Sequence, residues 1–442
     1  MAQTLKFGNG NFATKAGSTL CYDDQNGNFK PIPMDFTRAS TATRVNKQGL
    51  IEVVKSNVPR IDYTDTSDGV LLLEKAATNS ITYSEDFSQS YWTKSNATIT
   101  SNSVISPEGT LNASKVTEQN VSGVHYVGAS LAGGAGEYTW SCFLKQGTSR
   151  YAGMRAVVNG FQNRFFVNVD LSNGSVVDTH TVGSGTTWEY YVHKYTNGWY
   201  RLVIQAANGS GNMDMSISSS NVAQPNYSLG LPTYLGSTNN NFYIWGAQFE
   251  IGSVASSYIP SQGSATTRVA ETASGSGNTE VFNSQEGVLF LDTKALSNDG
   301  TTRTIGLSDG SNSNRIHFIY YSITNGYSVN YRVSNSTQVA FTELGNILDY
   351  QKIAFKYKSG DFSLWYNGFE IDTDNNTTMM SENTLDRLSF NQEPNTLNYS
   401  GKTKEIGYYD AILTDLELET LTSYRSWESM VNELNLNIIY NG

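Results

Sequence analysis

The chain has 442 residues, enough for two or three domains that each bury a hydrophobic core. A formal net charge of −11 at pH 7 disfavours nucleic acid as a partner, and two cysteines are too few for a disulfide framework or a zinc cluster. The start of the chain lacks the pattern of a secretory signal and no stretch resembles a membrane span, so we expect no export signal and no membrane insertion.

Neutral polar and strand-favouring residues dominate the composition. Hydrophobic residues make up 38% of the chain and charged residues 16%, with 39 Gly, 27 Tyr and only 8 Pro. Thr, Tyr, Val and Ile favour strands, and short strands separated by Asn, Gly and Ser turns are typical of antiparallel sheets. We therefore predict an all-β protein, with two antiparallel β-sandwich domains after a loop-rich N-terminal segment and a short helix at the C-terminus.

Residues 1–70 have no long periodic pattern, and we assign them to an N-terminal attachment segment. Asn26-Gly27 predicts a hairpin turn between two short extended stretches. The stretch 34–63 resembles an N-terminal phrase of tailed-bacteriophage appendage proteins, including those of Bacteroides-type, crAss-like phages. The matching positions are Phe36, Arg38, Ser40, Ala42, Thr43, Val45, Gly49, Leu50, Ile51, Asn57, Pro59, Arg60, Asp62 and Tyr63.

Three arginines of this segment, Arg38, Arg44 and Arg60, can each form a bidentate contact with a carboxylate or with backbone carbonyls. Asp62 and Glu74 are natural partners for them. Two interpretations remain open at this point. The arginines either belong to a surface that attaches the chain to a partner subunit, or form an internal clamp that holds loops together.

Residues 71–271 predict the first sandwich. The predicted strands are Leu71 to Leu73, Lys115 to Thr117, Tyr138 to Lys145, Phe165 to Asp170, Thr187 to Tyr195, Trp199 to Ala206 and Asn241 to Glu250. The stretch 79–100 contains a Phe-x-x-x-x-Trp phrase at Phe87 to Trp92, and NGWYRL follows at Asn197 to Leu202. Both resemble carbohydrate-binding jelly rolls of phage and polysaccharide-degrading proteins, which implies a jelly-roll domain.

The first sandwich closes with WGAQFE, then SSYIP, then TRVA, between Trp245 and Glu271. This order resembles a closing phrase of β-sandwich modules in tailed-phage fibre and tail proteins. Small residues follow at 272–279, and we predict a linker there because such a composition buries little apolar surface.

Residues 280–425 predict the second sandwich. It resembles concanavalin-like and laminin-G-like lectins in GVLFLD at Gly287 to Asp292, in the stretch Tyr350 to Gly368 and in the stretch Lys404 to Tyr424. Within the second stretch, alternating apolar residues on either side of an SGD turn predict a hairpin. The resemblance implies a lectin-type sandwich.

The chain ends in a predicted helix, which we extend into a helical tail at 426–442. Thr414 and Glu417 form a capping box. One apolar face then recurs at three- and four-residue steps, formed by Leu418, Leu421, Tyr424, Trp427, Val431 and Leu434. This face is either a seam between subunits or a strap across its own sandwich.

No metal-binding, phosphate-binding or nucleophile motif has the spacing that its chemistry requires, so we expect no cofactor and no bound metal. Aromatic rings that can stack on a sugar face are the candidate glycan-binding residues. They are Trp188, Tyr190 and Tyr191 in the first sandwich and Tyr320, Tyr321 and Trp365 in the second. Because neighbours in a strand point to opposite faces, core packing is the alternative for each ring.

Together, the resemblances imply a bacteriophage virion structural protein, a head or tail fibre or appendage that contacts host-surface or mucus glycans. We expect a non-enzymatic homotrimer with other virion proteins and glycans as partners. The alternatives are a tailspike-type glycan depolymerase, because paired carboxylates meet only in space, and a free carbohydrate-binding decoration protein.

Overall fold

The computed structural model of the chain describes residues 4–23, 28–321, 325–394, 396–434 and 436. It is nearly all-β, with two short helices near the C-terminus, and this confirms the predicted fold class. The turn predicted at Asn26-Gly27 lies outside the described residues. The strands that flank it do pair antiparallel, with Asp23 opposite Lys30.

The strands of the first part of the chain are β1 (Leu5–Gly8), β2 (Ala13–Lys15), β3 (Ser18–Asp23), β4 (Lys30–Thr37), β5 (Ala42–Val45), β6 (Ile51–Val54), β7 (Arg60–Asp62) and β8 (Val70–Leu73).

The middle part contains β9 (Ala77–Asn79), β10 (Thr93–Ser95), β11 (Ala97–Ile105), β12 (Leu111–Glu118), β13 (Ser122–Val124), β14 (Tyr126–Leu131), β15 (Gly136–Gln146), β16 (Tyr151–Val158), β17 (Asn163–Asp170), β18 (Ser175–Val182), β19 (Thr187–Lys194), β20 (Trp199–Gly209), β21 (Met213–Ser220), β22 (Tyr227–Ser228), β23 (Leu231–Leu235), β24 (Asn241–Ile251) and β25 (Thr266–Arg268). A 3-10 turn at Thr196–Gly198 precedes β20.

The last part contains β26 (Thr272–Ser274), β27 (Glu286–Ala295), β28 (Arg303–Ser308), β29 (Arg315–Tyr321), β30 (Gly326–Val333), β31 (Ser336–Leu344), β32 (Gln351–Lys358), β33 (Phe362–Tyr366), β34 (Phe369–Asp374), β35 (Arg387–Ser389), β36 (Gly401–Tyr409), α1 (Asp415–Thr422) and α2 (Trp427–Glu433). Within the described residues, neither helix has the length and apolarity needed to cross a membrane.

The chain divides into two compact units. Unit 1 comprises Met1–Thr41, Val54–Lys75 and Val269–Gly442, and unit 2 comprises Ala42–Val53 and Ala76–Arg268. This division differs from the predicted order of domains, because most of the predicted attachment segment belongs to unit 1. The physical reason is that β1 buries Leu5 and Phe7 and pairs with β36 of the second predicted sandwich.

Unit 1 is an antiparallel sandwich. One sheet has the order β26-β4-β3-β1-β36-β27-β32-β33-β34, with β2 on β3, β8 on β36 and β7 on β8, and the other has the order β31-β30-β29-β28-β35. Alternate residues of both sheets meet in one core, among them Leu289 and Phe355 from the first sheet and Phe318 and Tyr331 from the second.

Unit 2 is built from two further antiparallel sheets, with the orders β10-β14-β21-β16-β17-β18 and β11-β12-β24-β15-β20-β19. Their facing sides form a separate core that includes Met154, Val167, Trp140 and Phe249. Smaller ladders, β13-β23-β22, β9-β25 and β5-β6, lie beside these sheets.

The linker predicted at 272–279 is instead largely structured. β26 pairs with β4, and Ala273 is fully buried. Beyond it, the Ser276 N–H donates to the Leu388 carbonyl at 3.0 Å, and the Leu388 N–H donates to the Ser276 carbonyl at 2.7 Å. Small side chains here allow the backbone to enter the sheet, so the composition reflects close packing rather than mobility.

The C-terminal helix begins as predicted. The Glu417 N–H donates to Thr414 Oγ1 at 3.4 Å and the Thr414 N–H donates to Glu417 Oε2 at 2.9 Å, which completes the capping box. The predicted continuation past Tyr424 is interrupted, because the backbone is extended at Ser423 and at Ser426, which caps α2. The tail therefore forms two short helices rather than one.

Candidate functional site

Unit 2 contains a polar cleft of about 530 Å³. Three segments form its walls: the loop that follows β9, the β11–β12 pair and the loop that precedes β25. The lining residues are Tyr83, Glu85, Asp86, Ser88, Ser101, Asn102, Asn112, Ser114, Pro260, Ser261 and Gln262. Hydroxyl, amide and carboxylate groups dominate this lining, with one tyrosine ring.

The first wall is held in place by the Phe-x-x-x-x-Trp phrase. Phe87 and Trp92 are buried, and their ring centroids lie 4.7 Å apart. Trp92 Nε1 donates to the Tyr83 carbonyl oxygen at 2.9 Å, which closes the loop on itself. The two apolar side chains thus anchor a loop whose polar residues, Glu85 and Asp86, line the cleft.

The opposite wall comes from the SSYIP phrase. Tyr258 and Ile259 are buried, and the next residues line the cleft. The two walls are joined by the Ser261 N–H, which donates to Ser84 Oγ at 2.8 Å, and by the Ser84 N–H, which donates to the Ser261 carbonyl at 3.2 Å. Two phrases that are far apart in the sequence therefore meet at one site.

The third wall follows an irregularity in β11. The pairing of β11 with β12 shifts register between Thr100 and Val104, and Asn102 adopts a left-handed backbone with a φ of 51°. Asparagine tolerates this region better than most residues. The shift contributes Ser101 and Asn102 to the lining, while Asn112 and Ser114 come from β12.

Glu85 is the electrostatic centre of the cleft. Its Oε1 accepts from the Tyr258 hydroxyl at 2.9 Å, and its Oε2 accepts from Asn112 Nδ2 at 3.3 Å. Asn112 Nδ2 also donates to Glu108 Oε1 at 2.6 Å. Burial, together with the charge of Glu108, raises the pKa of Glu85 to about 7 despite the hydrogen bond from Tyr258.

Neither Glu85 nor Glu108 forms a salt bridge among the described residues. Asp86 differs: burial raises its pKa, but hydrogen bonds from Ser88 and Gln89 outweigh this and lower the pKa overall. Asn112 Oδ1 is buried and has no hydrogen-bond donor in the described part of the chain. The cleft therefore presents acceptor groups that the protein itself does not fully use.

The predicted rings of the first sandwich lie elsewhere in unit 2. Trp188, Tyr190 and Tyr191 are on β19, and β11 and β19 are the opposite edges of one sheet. Trp188 stacks on Phe165 with ring centroids 5.4 Å apart, and Tyr190 is 41% exposed. Tyr191 is half-buried, so Tyr190 is the most open of the three rings.

Two of the predicted rings in the second sandwich are core residues. Tyr320 is fully buried and shares a hydrogen bond with Thr293, and Trp365 is 6% exposed in a cluster with Phe290 and Leu418. Their prediction as sugar platforms is contradicted, because both rings are covered: Tyr320 lies in the core between the two sheets. Trp365 lies on the opposite face of its sheet from that core, beneath α1. Tyr321, the neighbour of Tyr320, is half-buried.

Two of the three arginines form an internal clamp in unit 1. Arg38 Nη1 donates to Glu271 Oε1 at 2.6 Å, and Arg60 Nε donates to the same oxygen at 2.8 Å. Arg60 Nη2 also lies 2.8 Å from Glu74 Oε2 and bonds Glu271 Oε2. All four side chains are buried, which matches the internal-clamp interpretation; Glu271 was not among the predicted partners.

The remaining residues of the predicted attachment set have separate partners. Arg44 Nη2 lies 3.4 Å from Glu52 Oε1 in a partly exposed pair. Asp62 Oδ1 lies 3.3 Å from Lys402 Nζ in unit 1.

The apolar face of the C-terminal tail is divided between the core and the surface. Leu418 and half-buried Leu421 pack on a cluster that contains Val288 and Phe290, so α1 is a strap across the sheet of its own unit. The other positions are Val431, which is buried, Tyr424 and Leu434, which are half-buried, and Trp427, which is 66% exposed.

No protein-family model matches the chain, and no curated protein matches it. Solved structures match it in part. A leech intramolecular trans-sialidase is 15% identical and covers 33% of this chain and 24% of its own, with a TM-score of 0.29. The CBM40 of a Ruminococcus gnavus sialidase bound to α2,6-sialyllactose is 15% identical and covers 34% and 94%, with a TM-score of 0.29.

Mouse laminin α1 domains LG4-5 are 8% identical and cover 65% of this chain and 86% of their own, with a TM-score of 0.23. The chain spans about a quarter of the leech enzyme, 24%. These neighbours include carbohydrate-binding and lectin-like domains.

Sequence reasoning missed the cleft residues Glu85 and Asn112, and Glu108 behind them. The only sequence signal was indirect, since Glu85 lies inside the jelly-roll opening phrase and the second wall lies inside the closing phrase. In the part of the chain that the structure describes, no group of three or more His, Cys, Asp or Glu side chains is placed to hold a metal ion.

Proposed function

We propose that this chain is a glycan-contacting structural protein of a bacteriophage virion, a head or tail fibre or appendage, and that the cleft of unit 2 is its glycan-binding site. The observation that carries the glycan part is the cleft itself. A tyrosine ring, amides and carboxylates surround a cavity of about 530 Å³, a size that accommodates one or two sugar rings.

Sugar recognition needs both elements of this lining. A pyranose ring packs one apolar face on an aromatic ring, and its hydroxyls bond to planar polar side chains. Tyr83 supplies the ring, while Glu85, Asn102, Asn112 and Gln262 supply polar groups from all three walls. Because the Phe87 and Trp92 anchor fixes the first wall, the site is preorganised, which lowers the entropy cost of binding.

The virion part of the proposal rests on the sequence phrases at 34–63 and 245–271 and on no structural comparison. Homotrimer formation, contact with other virion proteins and location in the particle belong to the same proposal. An all-β chain rich in neutral polar surface residues is compatible with each of them.

A glycan array probed with the full chain tests the proposal, followed by titration of the best glycan against variants. We expect Tyr83→Ala and Asn112→Ala each to weaken binding roughly tenfold, since each loses about 1.4 kcal/mol of contact. Tyr190→Ala is the matched aromatic control, because its ring is exposed on β19, away from the cleft. If only Tyr190→Ala abolishes binding, the site lies on β19 and the cleft assignment is wrong.

One observation favours a second candidate, a glycan depolymerase. A general acid for glycoside cleavage needs a carboxyl that stays protonated near neutral pH beside a second carboxylate. Glu85, with a pKa raised by burial to about 7, and Glu108 share the amide of Asn112. A reducing-sugar assay on the polysaccharide that the array identifies separates cleavage from binding. Activity that Glu85→Gln removes, while binding persists, supports the enzyme.

A further inference from the structure

We infer that the cleft of unit 2 selects glycans without anionic groups, reading their hydroxyls with acceptor side chains and rejecting uronates and sialic acids. This inference rests on the proposed function and specifies the class of ligand for the same site. It draws on the hydrogen-bond capacity of the cleft and on its distribution of charge.

The hydrogen-bond capacity of the cleft is biased toward acceptors. Asn112 uses its amide N–H groups on Glu85 and Glu108, so its Oδ1 remains as a buried acceptor without a donor among the described residues. Glu85 adds carboxylate lone pairs beyond those that Tyr258 and Asn112 occupy. A neutral sugar hydroxyl supplies a donor to such a group, whereas a ligand carboxylate supplies only further acceptors.

The charges around the cleft act in the same direction. Glu85 and Asp86 line it, and Glu108 lies behind the shared amide of Asn112. Lys94 is the nearby cation that interacts with Asp86, and its Nζ already donates to the carbonyls of Ser88 at 2.9 Å and Gln89 at 2.6 Å. A ligand anion would therefore meet carboxylates in a partly desolvated site and find no arginine among the lining residues.

The net charge of the whole chain strengthens this discrimination. At −11, the protein repels anionic polysaccharides during approach, and the effect diminishes as salt increases. The local carboxylates are partly shielded from solvent, so their contribution is screened less. Discrimination that persists at 0.5 M salt therefore comes from the cleft rather than from the overall charge.

The test uses the full chain at a pH of about 8.5, above the pKa of Glu85, about 7, so that this carboxyl is ionised. The array holds neutral and anionic glycans and includes lactose with 3′-sialyllactose and galactotriose with trigalacturonate. The best neutral ligand is then titrated together with its carboxylate-bearing counterpart. We expect the neutral member of each bound pair to bind roughly tenfold more tightly, the effect of one added unit charge near the cleft carboxylates at intermediate dielectric.

The variant Glu85→Gln with Asp86→Asn should narrow this ratio about tenfold, because it removes charge and keeps the shape of both side chains. Ser101→Asp adds a carboxylate at the exposed rim of the cleft and should widen the ratio, which keeps the test decisive if the double variant misfolds. Glu189→Gln, which removes one exposed carboxylate on β19, is the control and should leave the ratio unchanged.

Two results overturn the inference in distinguishable ways. In the first, an anionic probe binds the unmodified chain as tightly as its neutral counterpart, and Asn112→Ala weakens the binding of both. This result refutes the selectivity and leaves the proposed function standing. Absence of binding to any glycan on the array refutes the proposed function and the inference together.

Discussion

Two groups of carboxylates in this molecule show opposite solutions to the cost of burying charge. In unit 1, Glu271 and Glu74 are enclosed with Arg38 and Arg60, and each carboxylate has a guanidinium partner. In unit 2, Glu85 and Glu108 share the neutral amide of Asn112, and their other hydrogen bonds come from the hydroxyls of Tyr258 and Thr110 respectively. The carboxylates of the first group are neutralised by arginines within the fold and serve stability. Those of the second group keep hydrogen-bond acceptor positions that a ligand can use.

The pKa values follow the same contrast. Burial lowers the pKa of Arg60, but Glu271 and Glu74 outweigh it and raise the pKa above its ordinary value. Burial and the charge of Glu108 instead raise the pKa of Glu85 to about 7, and the hydrogen bond from Tyr258 opposes them only in part. The ionised form of Arg60 is thus stabilised in unit 1, whereas the ionised form of Glu85 is destabilised in unit 2.

The largest expected effect comes from breaking the buried arginine–glutamate cluster of unit 1. Glu271→Gln leaves Arg38 and Arg60 buried without the carboxylate that they share, so we expect a loss of about 3–5 kcal/mol in the free energy of unfolding. Urea denaturation followed by circular dichroism measures it. Arg44→Ala, which breaks the partly exposed pair with Glu52, should cost about 1 kcal/mol or less. Equal losses in the two variants would contradict the contrast.

A smaller effect on stability is expected from the carboxyl group of Glu85 in unit 2. The folded pKa of Glu85 lies above its ordinary value of 4.5, so its ionisation disfavours the folded state. The contribution of Glu85 to the free energy of unfolding should therefore fall by about 2 kcal/mol as pH rises from about 4.5 to about 7. The difference in unfolding free energy between the unmodified chain and Glu85→Gln should change by that amount across this range, whereas the exposed control Glu189→Gln should give a difference that does not depend on pH. The measurement is denaturation across that pH range.

The smallest expected effect extends the contrast to apolar side chains. Leu418 packs in a buried hydrophobic cluster of its own unit, whereas Trp427 is 66% exposed. Trp427→Ala should change the free energy of unfolding by less than about 0.5 kcal/mol. Under the proposed homotrimer, it should lower the mass measured by light scattering behind a sizing column. A variant that remains trimeric places the seam elsewhere, and a monomeric unmodified chain contradicts the trimer.

Strand positions in the first sandwich were largely predictable. The predicted strands Tyr138 to Lys145, Phe165 to Asp170 and Asn241 to Glu250 lie inside β15, β17 and β24. Alternation and turn residues are local signals, and they suffice to place a strand. They also indicated that one of two neighbouring rings is buried, as Tyr320 and Tyr321 illustrate, without fixing which one faces the core.

The candidate site was predictable only in its anchors. The jelly-roll opening phrase marked Phe87 and Trp92, and the closing phrase marked Tyr258, but neither indicated that they enclose one cleft. Ser84 and Ser261 are 177 positions apart, and their meeting depends on the order of strands in the sheets. The search for aromatic rings selected Trp188, Tyr190 and Tyr191 on β19, because it considered single residues and not polar groups from different segments that converge on one cleft.

The sequence by itself determined the all-β class, the capped start of α1 and the arginines that were available for a clamp. Each of these depends on residues a few positions apart, or on composition. The tertiary structure alone decided that β1 joins β36, that residues near Ala273 enter a sheet and that Glu271 completes the clamp. It also decided that Glu85 lies beside Glu108 and Asn112, because long-range strand pairing determines which distant groups meet.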